Sequence, residues 1–180
     1  MQRTVKTFSV DDIKIFKTKI LQWSQQFETA IWMDSNDYHQ QYSSFDFCVA
    51  VDEFTAIKTD FTNAFDKLKE YQTITKDYIF GYISYDVKND VEQLTSTNFD
   101  GLDFADLYFF QPQKIIFFRN NQLEFHYLNM VDDEIDNDFQ TIQQSKNLKI
   151  QHSKNDLKIK LRIHKDEYHK KVEQMLHNMQ

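Results

Sequence analysis

The chain of 180 residues predicts an α+β fold: packed, largely antiparallel β-sheets with flanking helices. Three observations carry that expectation. Aromatics are abundant, with 17 Phe, 9 Tyr and 2 Trp, and large aromatics favour strands and thick cores. Strand-like and helix-like periodicities are mixed along the whole length. Neighbouring strand segments are joined by short turn sequences, which favours antiparallel pairing.

In chain order, Ser9-Val10-Asp11-Asp12 reads as a helix start, with Ser9 as N-cap and acids in the first turn. Ile13, Phe16, Ile20, Ser24 and Phe27 follow at helical spacing, so the helix should end near Phe27. Ala30 to Met33 is a short buried strand running into the turn-forming cluster Asp34-Ser35-Asn36-Asp37. Phe45, Phe47, Val49 and Val51 alternate along a second strand that continues toward Ile57. Phe61, Ala64, Phe65, Leu68 and Tyr71 mark a second amphipathic helix. Tyr78 to Asp86 is the next strand, Val87 to Leu94 a short helix, and Thr95 to Asp106 a polar loop. Leu107 to Phe110 and Lys114 to Arg119 are strands broken by Pro112, which should sit at an edge or bend because proline cannot donate to a ladder. Asn120-Asn121-Gln122 turns a hairpin into Leu123 to Leu128. Asp132 to Gln144 is an acidic helix with the stripe Ile135, Phe139, Ile142. Leu148 to Ile150 and Leu157 to Ile163 are two further strands. Lys165-Asp166-Glu167-Tyr168 opens a last helix with Val172, Met175, Leu176 and Met179 in register, and the chain stops there without a terminating signal. That ending reads as a cut.

Only two glycines occur, and Gly81 interrupts the strand from Tyr78 to Asp86. Glycine weakens a strand, so a chain this sparing with it has a reason to keep one there. A bulge, close approach of a ligand, close approach of a second backbone and simple packing all remain open.

Charge and composition exclude several functions. A net charge of -7 argues against a nucleic-acid binder, which needs a basic face. A single cysteine, Cys48, excludes an internal disulfide, and its apolar strand makes it a buried, inert thiol. No stretch reaches the roughly 18 apolar residues of a membrane span, and no signal peptide opens the chain, so a cytoplasmic protein without a membrane partner is expected. The histidines are scattered and do not form a metal motif. Asp132 to Asp138 lacks the glycine and terminal glutamate of a calcium loop and reads as a solvated helix face. No phosphate loop or nucleophile elbow is present. No catalytic residue and no metal ligand is assigned. One segment resembles a site: Trp32-Met33-Asp34-Ser35 ends a strand, and Tyr42-Ser43-Ser44-Phe45-Asp46 starts the next. Such a strand-loop-strand aims hydroxyls and backbone groups beside aromatic walls, which suits a small zwitterion or aromatic acid; a plain surface turn uses the same residue types.

The order of five segments carries a resemblance. A strand ending in Ser35 precedes Tyr42-Ser43-Ser44-Phe45-Asp46, then Phe80-Gly81-Tyr82-Ile83-Ser84-Tyr85-Asp86, then Asp106-Leu107 with its paired strands, then Lys165-Asp166-Glu167-Tyr168 on a helix. Over almost its whole length the chain resembles the N-terminal region of the chorismate-utilising synthases. These include component I of aminodeoxychorismate (para-aminobenzoate) synthase and of anthranilate synthase. The resemblance implies an anthranilate synthase component I N-terminal-like fold, with residues 1–163 as that domain and 164–180 as the first helix of a truncated chorismate-binding domain. It implies a tryptophan pocket: Ser35 would hold the ligand's ammonium or carboxylate, and Tyr42, Ser43, Ser44 and Phe45 would form the adjoining wall.

Anthranilate synthases commonly carry Leu-Leu-Glu-Ser where this chain has Trp32-Met33-Asp34-Ser35, and the spacing to Tyr42 resembles the aminodeoxychorismate branch more closely. The implied function is therefore the amination of chorismate toward para-aminobenzoate and folate. The resemblance also implies that the catalytic groups, and the Mg2+ of the full-length enzyme, lie outside this fragment, which is expected to hold no cofactor and not to be catalytic alone. A glutamine amidotransferase subunit is the implied partner of the full-length protein. The alternatives are anthranilate synthase component I, a stand-alone amino-acid-binding module, and a structural domain with an empty pocket. Since the family's sheets continue beyond this region, exposed apolar surface and self-association of the fragment are expected.

Overall fold

The computed structural model describes residues 2–36, 38, 41–42, 44–95, 99–145 and 161–179. The chain divides into two units, Met1–Asn147 and Leu148–Gln180. The expected strands Leu148 to Ile150 and, for the most part, Leu157 to Ile163 lie outside the described residues.

The first unit is built on a six-stranded antiparallel sheet, in keeping with the α+β class read from the sequence. Its strands are β1 (Arg3–Phe8), β2 (Ala30–Asp34), β3 (Phe47–Thr59), β4 (Phe80–Ile83), β5 (Leu107–Arg119) and β6 (Gln122–Leu128). They run in the order β1-β6-β5-β3-β2, with β4 also on β5. The helices are α1 (Ile13–Ser24), α2 (Ala64–Thr75), the single turn α3 (Lys88–Val91) and α4 (Ile135–Gln144), and the second unit carries α5 (Lys165–Asn178).

Several expectations are corrected. Helix α1 starts at Ile13, and its N-cap is Asp12 rather than Ser9: the Asp12 carboxylate accepts the N–H groups of Lys14 and Ile15 at 2.9 and 3.1 Å. An aspartate there satisfies orphan donors of the first turn directly. Strand β1 was absent from the sequence reading. Pro112 does not break β5, which runs through 13 residues. The accommodation is made by β3, where the register passes from Glu53–Pro112 to Thr55–Gln111 and leaves Phe54 as an extra residue. A bulge is one of the few places in a sheet that tolerates the missing donor of proline. The hairpin turn is as expected: Asn120 and Asn121 both have positive φ, 52° and 62°, and Arg119 pairs with Gln122. That is a two-residue type I′ connection, for which asparagine is suited.

Alternation along the strands makes two faces. On one, Phe47, Val49, Val51, Ile116, Phe118, Leu123, Phe125 and Tyr127 pack against Ile20 and Trp23 of α1 and Ile135 and Ile142 of α4. Phe8 reaches this core from β1, stacked on Phe139 with centroids 3.9 Å apart. Lys114 is buried here, 2.5 Å from Glu134 and 2.8 Å from Asp138, which also accepts the Tyr127 hydroxyl. Burial pushes the pKa of this ammonium down, but its two carboxylate partners, Asp138 and Glu134, outweigh that and raise it above the ordinary lysine value. On the other face lie Cys48, Ala50, Phe80, Phe110, Ile115 and Phe117.

Gly81 pairs with Phe109 of β5. A Cβ built there would stand 1.9 Å from the Tyr108 carbonyl oxygen and 2.6 Å from Phe109 Cα. Close approach of a second backbone is therefore what the glycine serves. Substituting Gly81→Ala should destabilise the fold by about 1–3 kcal/mol, read as a lowered chemical-denaturation midpoint. An unchanged midpoint would show that β4 is free to shift off β5.

Strands β4 and β6 share one side of β5: β4 covers Leu107 to Phe110 and β6 covers Lys114 to Arg119. Between them β5 has no partner strand on that side. Arg3 of β1 fills the notch. Its guanidinium donates to the carbonyls of Pro112 (2.6 Å), Gln113 (3.3 Å) and His126 (3.0 Å), and to both Asp77 oxygens at 2.8 and 3.0 Å. Both side chains of the pair are only 6% exposed. Burial raises the Asp77 carboxyl, but hydrogen bonds from Arg3, Gln111 and the Tyr78 N–H outweigh it and hold its pKa below the ordinary carboxylate value. A carboxyl lowered on folding stabilises the native state above its ordinary pKa, near 4, and that stability is lost as pH falls through the folded value. Arg3→Met should therefore cost about 3–5 kcal/mol at neutral pH, since it strands a buried charge. Lys6→Ala, at a pair exposed by 43% and 62%, should cost under about 1 kcal/mol. Denaturant titrations of both variants, repeated between pH 7 and 3, check the contrast; Asp77→Asn should flatten the acid limb.

Candidate functional site

The face opposite α1 and α4 carries a groove of about 440 Å³. Its lining comes from three strands and from the segments that lead into β3 and β4. Ile31 and Met33 point there from β2 with the period of two that a strand imposes. Ser44 and Phe45 lie just ahead of β3. Tyr78 and Ile79 lead into β4, Phe80 and Gly81 are its first residues, and Phe109, Phe117 and Arg119 come from β5.

Three rings make its wall. Phe117 has Phe45 at 5.5 Å and Tyr78 at 5.7 Å between centroids. His126 of β6 stands edge-on to both Phe117 and Tyr78, at 5.1 and 6.2 Å. The groove is polar at one end. Arg119 lies over the Phe117 ring at 5.4 Å and forms a two-pronged bond with Glu124, at 2.8 and 2.5 Å. Glu124 also contacts His126 Nε2 at 2.9 Å. The Arg119 hydrogen bond, working against burial and aided by His126, brings the Glu124 carboxyl down to about 2. Arg119 is correspondingly held firmly in its charged form by Glu124.

The residues singled out from the sequence are partly brought together. Ser44 and Phe45 line the groove. Ser35 follows Met33 by two positions, so it continues the row Ile31, Met33 along the β2 side, although it is not among the lining residues. Its N–H donates to the Asp46 carbonyl at 3.0 Å and its carbonyl accepts the Tyr38 N–H at 2.9 Å, which fixes the strand end against the start of β3. Asp34 holds the same end from below: it accepts Lys17 of α1 at 2.8 Å and the Asn36 N–H at 2.9 Å. Burial pushes the Asp34 carboxyl up, but Lys17 and the Asn36 N–H outweigh it and hold it below its ordinary value. Tyr42 is 90% exposed, and Ser43 lies outside the described residues. Sequence reasoning missed Tyr78, Phe117 and Arg119. The signal available was their aromatic and cationic character on alternating strand positions.

Chemically the groove offers aromatic faces, the hydroxyls of Ser44 and Tyr78, and one guanidinium. Among the described residues no group of three or more His, Cys, Asp or Glu side chains is placed to hold a metal ion. Cys48 sits beneath the groove floor, fully buried, and burial pushes its thiol up to about 12. It is a packing residue rather than a nucleophile. No described helix is long and apolar enough to cross a membrane.

Residues 28–180 match the family described as chorismate binding enzyme. No curated protein matches the chain.

Under native conditions at pH 8, Cys48 should resist alkylation by iodoacetamide and react fully once the chain is unfolded in guanidinium, as read by mass spectrometry. Rapid native labelling would mean that the groove floor opens.

Proposed function

The chain belongs to the chorismate-binding enzyme family, matched over residues 28–180, and on that premise we propose that it is the tryptophan-pocket-bearing region of component I of an aminodeoxychorismate synthase. Residues 1–163 form the component I N-terminal domain in this proposal, and 164–180 are the first helix of the chorismate-binding part. The observation that carries it is the aromatic groove: the segment expected to wall a tryptophan pocket delivers Ser44 and Phe45 into a cleft faced by Tyr78 and Phe117. An indole ring fits such a cleft by stacking and edge contacts, worth about 0.5–1.5 kcal/mol per aromatic pair beyond area burial. Ser35, Tyr42 and Ser43 would complete the polar rim, together with a later segment of the enzyme.

The chain is not catalytic alone. The reaction proposed for the whole enzyme replaces the C4 hydroxyl of chorismate with an amino group. Ammonia comes from a glutamine amidotransferase subunit, in the cytoplasm. Mg2+ would bind the substrate carboxylate and assist departure of the hydroxyl. Among the described residues no group of three or more His, Cys, Asp or Glu side chains is placed to hold that ion. Exposed Phe99, Leu102 and Phe104 support self-association of the fragment.

The test is an assay of the full-length protein with chorismate, ammonia and Mg2+, with product identified by chromatography. A 4-amino product is expected. A 2-amino product, anthranilate, would instead assign the protein to tryptophan synthesis, and no turnover of chorismate by the full-length protein would leave an amino-acid-binding module. The 180-residue chain assayed by itself should give no product.

A further inference from the structure

We infer that Arg119 is the specificity-determining residue of the groove, and that it recognises the carboxylate of an aromatic ligand whose ring lies against Phe45, Tyr78 and Phe117. The inference rests on the reading of the groove as an aromatic amino-acid pocket and assigns its charged end.

Among the described residues, Arg119 is the one charged side chain lining the groove. Its position follows from strand geometry: Phe117 and Arg119 are two residues apart on β5 and project on the same face. The guanidinium lies over the same Phe117 ring that forms the apolar wall, so charge and stacking surface meet at one point. Glu124 binds it through Nε and one terminal nitrogen. This leaves the other terminal nitrogen without an acceptor among the described residues. The geometry is that of a guanidinium already ordered by one carboxylate and offering its remaining donors to another. Since Arg119 is held in place beforehand, little side-chain entropy is lost when a ligand arrives.

The alternative anchor is weaker. Ser35 carries only a hydroxyl and a backbone N–H already given to Asp46. With Arg119 taking the carboxylate, Ser35 is left to the ammonium side of a zwitterion. Glu124 does not compete for that ammonium, because its oxygens are already shared between Arg119 and His126. The ligand class is therefore an aromatic carboxylate, with the α-amino group secondary.

Three probes separate the parts: L-tryptophan, indole-3-propionate, which lacks the ammonium, and tryptamine, which lacks the carboxylate. Affinities are measured on the full-length protein, which carries the later segment of the pocket, by isothermal calorimetry, for wild type, Arg119→Gln, Arg119→Lys and Ser35→Ala. Thermal melts confirm that each variant is folded. Wild type should bind L-tryptophan and indole-3-propionate at least tenfold more tightly than tryptamine. Arg119→Gln should erase that preference, and Arg119→Lys should restore part of it. Ser35→Ala should weaken L-tryptophan and leave indole-3-propionate unchanged. If Arg119→Gln keeps the full preference for the carboxylate probes, Arg119 is not the anchor while the pocket stands. If wild type binds none of the three, the pocket reading falls, and this assignment with it.

Discussion

The guanidinium of Arg3 closes a gap that the sheet cannot close with strands. Strand β5 is thirteen residues long, and two shorter strands share one of its sides without meeting. The unpaired stretch around Pro112 would leave carbonyls facing nothing, and buried unpaired carbonyls are costly. One side chain satisfies two of them, on Pro112 and Gln113, together with the His126 carbonyl of β6, and is itself neutralised by Asp77. The consequences reach beyond that notch. Asp77 accepts the N–H of Tyr78 at 2.8 Å and the Gln111 amide at 2.7 Å, so the chain leading into β4 is fixed where Tyr78 turns toward Phe117. A wall of the groove is set by an ion pair that does not touch the groove.

The same sheet serves two purposes through its alternation. One face is spent on a packed core with α1 and α4, where Lys114 and its carboxylates tie α4 and the turn before it to β5. On the other face Phe117 is buried together with Cys48, Ala50 and Ile115, and the half-buried Phe45 and exposed Tyr78 wall the cleft. Gly81 belongs to this division, since the close contact of β4 with β5 leaves no room for a side chain between the backbone of Tyr108 and the ring of Phe109.

Much of this was legible in the sequence where the signal is local. The β5–β6 hairpin was readable because two adjacent asparagines match the positive φ that its turn requires. The stripe Ile135, Phe139, Ile142 fixed the buried face of α4. Ser44 and Phe45 were legible as wall candidates because they stand just ahead of β3, and they line the groove. The partners that give the groove its chemistry were not found, because Tyr78, Phe117 and Arg119 reach it only through strand pairing across tens of residues. Strand β1 was overlooked for a related reason: it is short, and its Arg3 and Lys6 mask the β-branched run Thr4, Val5, Thr7. The corrected cap of α1 shows two adequate capping residues competing, with Asp12 set by where the apolar face of the helix must begin.

The central claim is that the groove beside Phe45, Tyr78 and Phe117 is a binding site for an aromatic carboxylate. Its most direct test is a crystal structure of the full-length protein grown with L-tryptophan. The account predicts an indole ring against those three residues with its carboxylate at Arg119. A well-ordered, empty groove at saturating ligand, or an indole bound elsewhere on the chain, would contradict it.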